Sequence, residues 1–250
     1  MPLKTDDRYF VDCHTHVLPG MDDGAADADV SRQMLASLAD QGTAEIWLTS
    51  HYYPQREALD DYVAKRRAAY EKIAHLFPEY GIRARLGAEV FFSGDLFYFE
   101  PAEFRRLTID GSHWLLLELP YRTPLSDELF DAITRVKEIS GCEIILAHIE
   151  RYNIHINRAF RQRLLDAGLR LQMNLSDYAR ATAQEQALLE TQIADGDISF
   201  LATDCHNMDR RKPVITPLLS RITDRVGVEP VREAIAFSRR VIAEDLGENK

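Results

Sequence analysis

Short apolar runs alternate with amphipathic stretches along almost the whole of this 250-residue chain. Tyr9-Phe10-Val11 opens the series as a buried strand that runs into Asp12-Cys13-His14-Thr15-His16. Further strands are predicted over 44–50, 82–88, 114–117, 143–147, 169–174 and 199–203. Between them apolar residues recur at helical spacing. Val30, Met34, Leu35 and Leu38 mark a helix over 27–41 that Gly42 stops, and others are predicted over about 57–77, 127–140, 157–167, 183–194, 214–226 and 231–245. The stretch 91–107 is rich in aromatic residues and lacks a period, so a loop with a short helix is expected there. Strands that alternate with helices imply a parallel sheet. About seven such units, with no Pro-, Gly- or Ser-rich linker, favour a single domain over 1–250 built as one closed or nearly closed α/β barrel. The competing open sheet would gather its site beside a glycine-rich turn, and no G-x-G-x-x-G is present.

Composition narrows the picture. Hydrophobic residues make up 46% of the chain, enough for a sizeable core. The formal net charge of -10 argues against nucleic acid, which needs a basic footprint, but not against an anionic substrate, because bound cations can reverse the local field. No apolar run has the length of a membrane span, and Met1-Pro2-Leu3-Lys4-Thr5-Asp6-Asp7 lacks a signal-peptide pattern. Three cysteines, none in a C-x-x-C spacing, suggest free thiols in a reducing, cytoplasmic compartment.

Ligand-type side chains fall where the predicted strands end: His14, His16, His51, Glu89, Glu118, His148, Asp204 and His206. In a βα barrel those ends share one face, where active sites are built. His14 and His16 are two residues apart and project to one side of their strand. After them, Pro19-Gly20 and Asp23-Gly24 turn the chain so that a carboxylate can fold back. A lone histidine after an apolar run is more often a core residue, but scattered core histidines have no reason to choose the same end of every strand. With Asp23 the set offers imidazoles and carboxylates for two or three divalent ions, and nitrogen and oxygen donors without thiolate suit Mn, Fe or Zn. Arg151 follows His148 closely, and Arg210-Arg211 follow His206. A guanidinium beside metal ions can grip a phosphate through parallel hydrogen bonds, although such arginines also neutralise carboxylates. Cys205 and Arg211 have the C-x5-R spacing of thiol phosphatases. The residues between them contain no glycine to form a phosphate loop, and Asp209 would repel a phosphate, so that spacing is read as coincidence.

The segments His14-Thr15-His16-Val17-Leu18-Pro19-Gly20-Met21-Asp22-Asp23-Gly24-Ala25, Thr49-Ser50-His51-Tyr52, Gly87-Ala88-Glu89-Val90, Leu117-Glu118-Leu119-Pro120, Ala147-His148-Ile149-Glu150-Arg151-Tyr152 and Thr203-Asp204-Cys205-His206-Asn207 carry a resemblance. In this order they resemble the polymerase-and-histidinol-phosphatase (PHP) superfamily, and within it the bacterial manganese-dependent protein tyrosine phosphatases of capsule and exopolysaccharide synthesis. The likeness extends over about 9–213. Ser50 and Ile149 stand where the family usually has proline, and Cys205 where it has a small residue, but no ligand position is lost. The resemblance implies a distorted (βα)7 TIM-like barrel with two or three metal ions, manganese foremost. It also implies hydrolysis of phosphotyrosine on the tail of a tyrosine autokinase. Its ligands would be His14, His16, Asp23, His51, Glu89, Glu118, His148, Asp204 and His206, with Asp23 preferred to Asp22 because the family ligand directly precedes the glycine. Arg151 matches the phosphate-binding arginine, with Arg211, or else Arg210, as the later one.

The expected chemistry is in-line attack on phosphorus by a hydroxide bridging two metals, with the arginines neutralising the equatorial oxygens. A phenolate leaves readily, so no general acid is assigned. The aromatic loop 91–99 with Tyr52 is expected either to wall a tyrosyl ring or to cover the barrel rim. The alternatives are a phosphatase for a small metabolite such as histidinol phosphate and a metal-stabilised binding module without catalysis. His75 and His113 read as surface residues, and His155 is left open.

Overall fold

In chain order, the computed structural model of the protein, which describes residues 9–248, has β1 (Phe10–Thr15), α1 (Ala28–Asp40), β2 (Thr43–Leu48), β3 (His51–Tyr52), α2 (Leu59–Ile73), α3 (Leu76–Tyr80), β4 (Arg83–Leu86), β5 (Glu89–Phe91), α4 (Pro101–Arg105) and β6 (Trp114–Glu118). The second half adds α5 (Asp127–Ser140), β7 (Glu143–Leu146), α6 (Arg158–Asp166), β8 (Arg170–Asn174), α7 (Leu175–Arg180), α8 (Ala183–Ala194), β9 (Ile198–Ala202), α9 (Thr216–Val226) and α10 (Val228–Asp245). The stretch 1–7, considered above for targeting, lies outside the described residues. No helix among the described residues is long and apolar enough to cross a membrane.

The fold is mixed α/β with parallel sheets. One sheet has the order β1-β2-β4 and the other β3-β5-β6-β7-β8-β9, and every strand pair is parallel. Local chemistry fixes the helix starts. Asp27 accepts from the backbone of Asp29 and Val30 at α1, Ser126 and Asn157 cap α5 and α6, and Thr182 with Glu185 forms a reciprocal cap at α8.

The two predicted strands 44–50 and 82–88 end early, as β2 and β4, and after a two-residue break each is followed by a short strand that was not expected, β3 and β5. At the first break Thr49 turns back to β1: its amide donates to the Thr15 carbonyl at 3.0 Å, and its hydroxyl accepts from the Thr15 amide at 3.0 Å. At the second, Gly87 sits where a Cβ would come within 2.4 Å of Ile109 Cδ1. The predicted helix 57–77 is likewise two helices, parted at Ala74-His75. The short α7 was not expected.

The sheets meet at two seams. The Glu89 amide donates to the Thr49 carbonyl at 3.0 Å, while the His16 amide donates to the Cys205 carbonyl and the Asp204 amide to the His14 carbonyl at 3.0 and 2.9 Å. Val11, Cys13, Trp47, Leu116, Ile145, Ala147, Phe200 and Ala202 form a small second core with Ile109, Val241 and Ile242, apart from the larger one under the helices. Side chains from β1, β2, β6, β7 and β9 meet there with two from α10.

Candidate metal centre

Several strands bring one or two ligand-type side chains to the same place at or just beyond their carboxyl ends, or, for β3 and β5, at their first residue. Between Asp12 and Thr15 the β1–β2 register slips, a bulge of the kind that re-aims side chains. His14 lies within this slip and His16 directly follows β1, with their Nε2 atoms 3.2 Å apart. His51 opens β3 and Glu89 opens β5, paired in register. Glu118 ends β6. His148 and Asp204 each follow a strand with a left-handed backbone, φ 31° and 52°. Such strain in non-glycine residues, costing on the order of 1–3 kcal/mol each, persists where the surroundings enforce it and clusters at functional sites.

The nine acids and imidazoles named from the sequence form four overlapping groups: His16, Asp23, His51 and His206; His14, His16 and Glu89; His14, His148 and Asp204; and His51, Glu89 and Glu118. Within each group the donor atoms lie within 4.8 Å of one another. Glu89 stands at the middle, with Oε2 at 3.1 Å from His14, 3.3 Å from His16 and 2.9 Å from His51, and Oε1 at 2.8 Å from His148. Burial opposes its charge, but the facing imidazoles of His14 and His51 hold its carboxyl well below the usual range. Conversely, burial works against the His51 imidazole while Glu89 and Glu118 push its pKa up to about 10.

Buried Nδ1 of His51, Oε2 of Glu89 and Glu118, Oδ1 of Asp204 and Nε2 of His206 make no hydrogen bond, although several lie at ion-pairing distance from one another. Buried polar atoms are rarely left so, and each of these five is an electron-pair donor on a ligand-type side chain. The residues therefore fit divalent metal ions. Three imidazoles are tied back through Nδ1, which aims Nε2 at the centre: His14 to Gln172 Oε1 at 3.2 Å, His16 to Asp22 Oδ2 at 2.7 Å and His206 to the Asp204 carbonyl at 3.0 Å. This is the outer arrangement metal-binding histidines use.

Both adjacent aspartates have work, and it differs. Asp22 is inward: besides His16 it accepts from the His51 amide at 2.8 Å and the Gly24 amide at 2.9 Å. Asp23 is 66% exposed and turns Oδ1 to His206 Nε2 at 3.3 Å, and His206 holds its carboxyl down at about 2. Gly24 allows this turn, since a Cβ there would lie 2.3 Å from the His16 carbonyl oxygen.

Arg151 and Arg211 converge on one atom, Asp204 Oδ2, through Nη2 at 2.7 and 2.6 Å. Arg151 is further held by Nε to Asp177 Oδ2 at 2.9 Å. Arg211 returns over the centre because its amide donates to Asn207 Oδ1 while its carbonyl accepts from the His206 amide at 2.8 Å. Arg210, the alternative, is exposed and has no hydrogen bond or ion pair to the cluster.

Cys205 is fully buried in the larger core, and burial pushes its thiol well above the ordinary value, so it is no thiolate nucleophile. Of the two readings for Tyr52 the structure favours a hydrophobic cover: it is buried against Tyr62 and Phe99, while Tyr53 stands beside His51 and Phe91, both at 5.3 Å between rings. His75 is exposed, His113 pairs with Asp245 at 2.7 Å, and His155 is buried away from the cluster. The sequence weighs Asp22 only as an alternative ligand to Asp23 and gives no signal for Gln172, Asn174 or Asp177.

Comparison with known proteins gives this geometry a lineage. Residues 10–241 match the family model for capsular polysaccharide synthesis, CpsB/CapC. The chain belongs to the CpsB/CapC family. It is 25% identical to tyrosine-protein phosphatase CpsB of Streptococcus pneumoniae over 94% of this chain and 99% of that one. It is 28% identical to tyrosine-protein phosphatase YwqE of Bacillus subtilis over 81% and 79%. Among solved structures, that of YwqE and CpsB, described as unique metal-dependent tyrosine phosphatases, superposes with a TM-score of 0.76 at 21% identity over 93% of both chains. An organophosphorus hydrolase from Deinococcus radiodurans shares the fold more distantly, with a TM-score of 0.54 at 14% identity over 96% and 94%.

Proposed function

We propose that this CpsB/CapC family member is a metal-dependent phosphomonoesterase that removes phosphate from tyrosine on a protein, in capsular or exopolysaccharide synthesis. Its substrate is the phosphorylated tail of a tyrosine autokinase. The observation that carries the reading is the convergence of Arg151 and Arg211 on Asp204, a carboxylate whose other oxygen faces His14 and His16. A metal-facing edge and a phosphate-facing edge thus share one side chain.

His14, His16, Asp23, His51, Glu89, Glu118, His148, Asp204 and His206 would hold two or three ions, with Mn favoured and Fe or Zn compatible with the same donors. Divalent ions held there supply positive charge beside the phosphoryl oxygens and make water acidic enough to attack near neutral pH. The protein's own part is positioning. Arg151 and Arg211 grip the equatorial oxygens, and Asp22, Gln172 and the Asp204 carbonyl keep three imidazoles turned with Nε2 inward. Tyr53 and Phe91, beside His51, would flank a tyrosyl ring. The phenolate needs little help in leaving, so no acid is assigned.

The two sheets are taken as one distorted (βα)7 barrel and the described residues as one domain. The seam hydrogen bonds at Thr49 and Cys205 and the core shared by five strands support this reading.

A protein substrate is favoured over a small metabolite by the apolar rim. The large apolar side chains exposed among the described residues are Tyr98, Tyr121, Ile156 and Met208, and they lie beyond the ends of β5, β6, β7 and β9, on the side of the centre. The test compares kcat/KM of Mn-loaded protein on a phosphotyrosine peptide and on histidinol phosphate. A preference of at least about tenfold for the peptide, worth about 1.4 kcal/mol in transition-state binding, is expected. The reverse preference would assign the centre to small-molecule metabolism.

A further inference from the structure

β8 is the one strand of the six-stranded sheet that brings neither acid nor imidazole to the centre. It brings two carboxamides, Gln172 and Asn174, both fully buried and on the same strand face. Their orientation follows from donor and acceptor accounting. The His148 backbone amide can only donate, and it meets Gln172 Oε1 at 2.8 Å, so that atom is the oxygen. Gln172 Nε2 then donates to Asn174 Oδ1 at 2.7 Å. Asn174 must therefore present its nitrogen to the two carboxylates, with Nδ2 at 2.8 Å from Asp204 Oδ2 and 3.0 Å from Asp177 Oδ2. The same Gln172 oxygen accepts from His14 Nδ1, which leaves the His14 Nε2 lone pair facing Glu89 and Asp204. The pair is a polar relay with one sense, acceptor toward the imidazoles and donor toward the acids.

We propose that Gln172 and Asn174 are positioning residues of the centre with separable tasks. Gln172 fixes the tautomer of His14 and the strained backbone of His148. Asn174 is the donor that retains Asp204 Oδ2 when substrate draws Arg151 and Arg211 away. This inference rests on the metallophosphatase reading. Asp204 Oδ2 has three donors, and that reading assigns two of them to the phosphoryl group. In a buried carboxylate, loss of both would free the side chain to turn Oδ1 from the metal edge, unless the third donor stays. An amide does so without adding charge, whereas an acid at 174 would face Asp204 and Asp177 at hydrogen-bonding distance.

The tasks predict different kinetic signatures. Gln172→Met keeps the length but removes the acceptor, and is expected to weaken Mn affinity at least tenfold, read by competition with a chelating dye. Gln172→Glu keeps the acceptor toward His14 and His148 although it loses the donor to Asn174, and is expected to restore most of the Mn affinity. Asn174→Leu is expected to lower kcat on p-nitrophenyl phosphate about tenfold with Mn affinity within threefold of the unaltered protein, in the range seen when outer partners of metal ligands are removed. Mn affinity in Gln172→Met and kcat in Asn174→Leu both within twofold of the unaltered protein would overturn the proposal.

A measurement on the unaltered chain covers variants that fail to fold: a crystal structure of the Mn-loaded protein with inorganic phosphate. Asn174 Nδ2 is expected to stay bonded to Asp204 Oδ2 while Arg151 and Arg211 contact phosphate, and a released Asp204–Asn174 pair would overturn the role of Asn174. If instead the Mn-loaded protein neither hydrolyses p-nitrophenyl phosphate nor binds phosphate at the arginines, the phosphatase reading fails and this inference with it.

Discussion

Replacing Arg151 with alanine should disable turnover without dismantling the centre, and the geometry says by how much. The guanidinium is about three-quarters buried, and its Nε is fixed by Asp177 and one Nη2 hydrogen by Asp204. No hydrogen bond engages Nη1 among the described residues, so Nη1, and Nη2 once substrate draws it from Asp204, are the donors that meet phosphoryl oxygens. A hydrogen bond to a charged group contributes about 1.5–3 kcal/mol, so losing one or two at the transition state costs about 3 kcal/mol. At 1.36 kcal/mol per decade this is roughly a 150-fold fall in kcat/KM. Arg151→Lys keeps the charge but not the fork to Asp177, and should lose about tenfold. Asp204 Oδ2 retains Arg211 and Asn174 in either variant, so metal content and melting temperature should hold. The assay is kcat/KM on p-nitrophenyl phosphate beside metal analysis of the same sample. An alanine variant within threefold of the unaltered protein, or one that has shed its metals, would refute the assignment.

Two further outcomes test the scaffold. Gly24→Ala drives a Cβ against the His16 carbonyl, with the nearest atom at 2.3 Å, and should cost about 3 kcal/mol, which lowers the melting temperature by about 6–12 °C in a domain of this size; an unchanged melting temperature would mean that the turn is not so tightly closed. Burial pushes the Asp12 carboxyl up to about 7 although Thr203 donates to both its oxygens. The folded chain therefore keeps a proton that the unfolded chain releases above about pH 4, and stability falls as pH rises from there to 7. Asp12→Asn carries no such proton, so in chelator-treated protein its urea stability relative to the unaltered chain should rise over that window, by up to about 4 kcal/mol. A difference that does not vary with pH would contradict the buried neutral acid.

What the sequence makes legible is whatever depends on period and chemical type. His14 and His16 meet because strand side chains alternate, and eight of the nine ligand-type residues share one end because each follows an apolar run, Asp23 coming from the first turn. The helix over 127–140 is bounded by Ser126 and Gly141, residues whose capping chemistry is local. What stays hidden depends on contacts across the fold. Asp22 and Asp23 are chemically alike, and only the closed turn at Gly24 sends one behind His16 and the other toward His206. Arg211 rather than Arg210 reaches Asp204 because Asn207 closes the intervening loop. Tyr53 rather than Tyr52 lines the site because β3 is two residues long and its pairing with β5 decides which side chain goes to the core. Gln172 and Asn174 carry no ligand-type group, so nothing local distinguishes them from other buried amides.

Phosphate release in the proposed reaction has one defining dependence, on metal ions held by the histidine-carboxylate cluster and not on the Cys205 thiol. It is tested most directly by hydrolysis of a phosphotyrosine peptide by chelator-stripped protein, before and after Mn is restored, with Cys205→Ser alongside. Activity should vanish on stripping, return with Mn and survive the cysteine substitution. Activity that ignores the chelator and disappears with Cys205 would contradict that dependence.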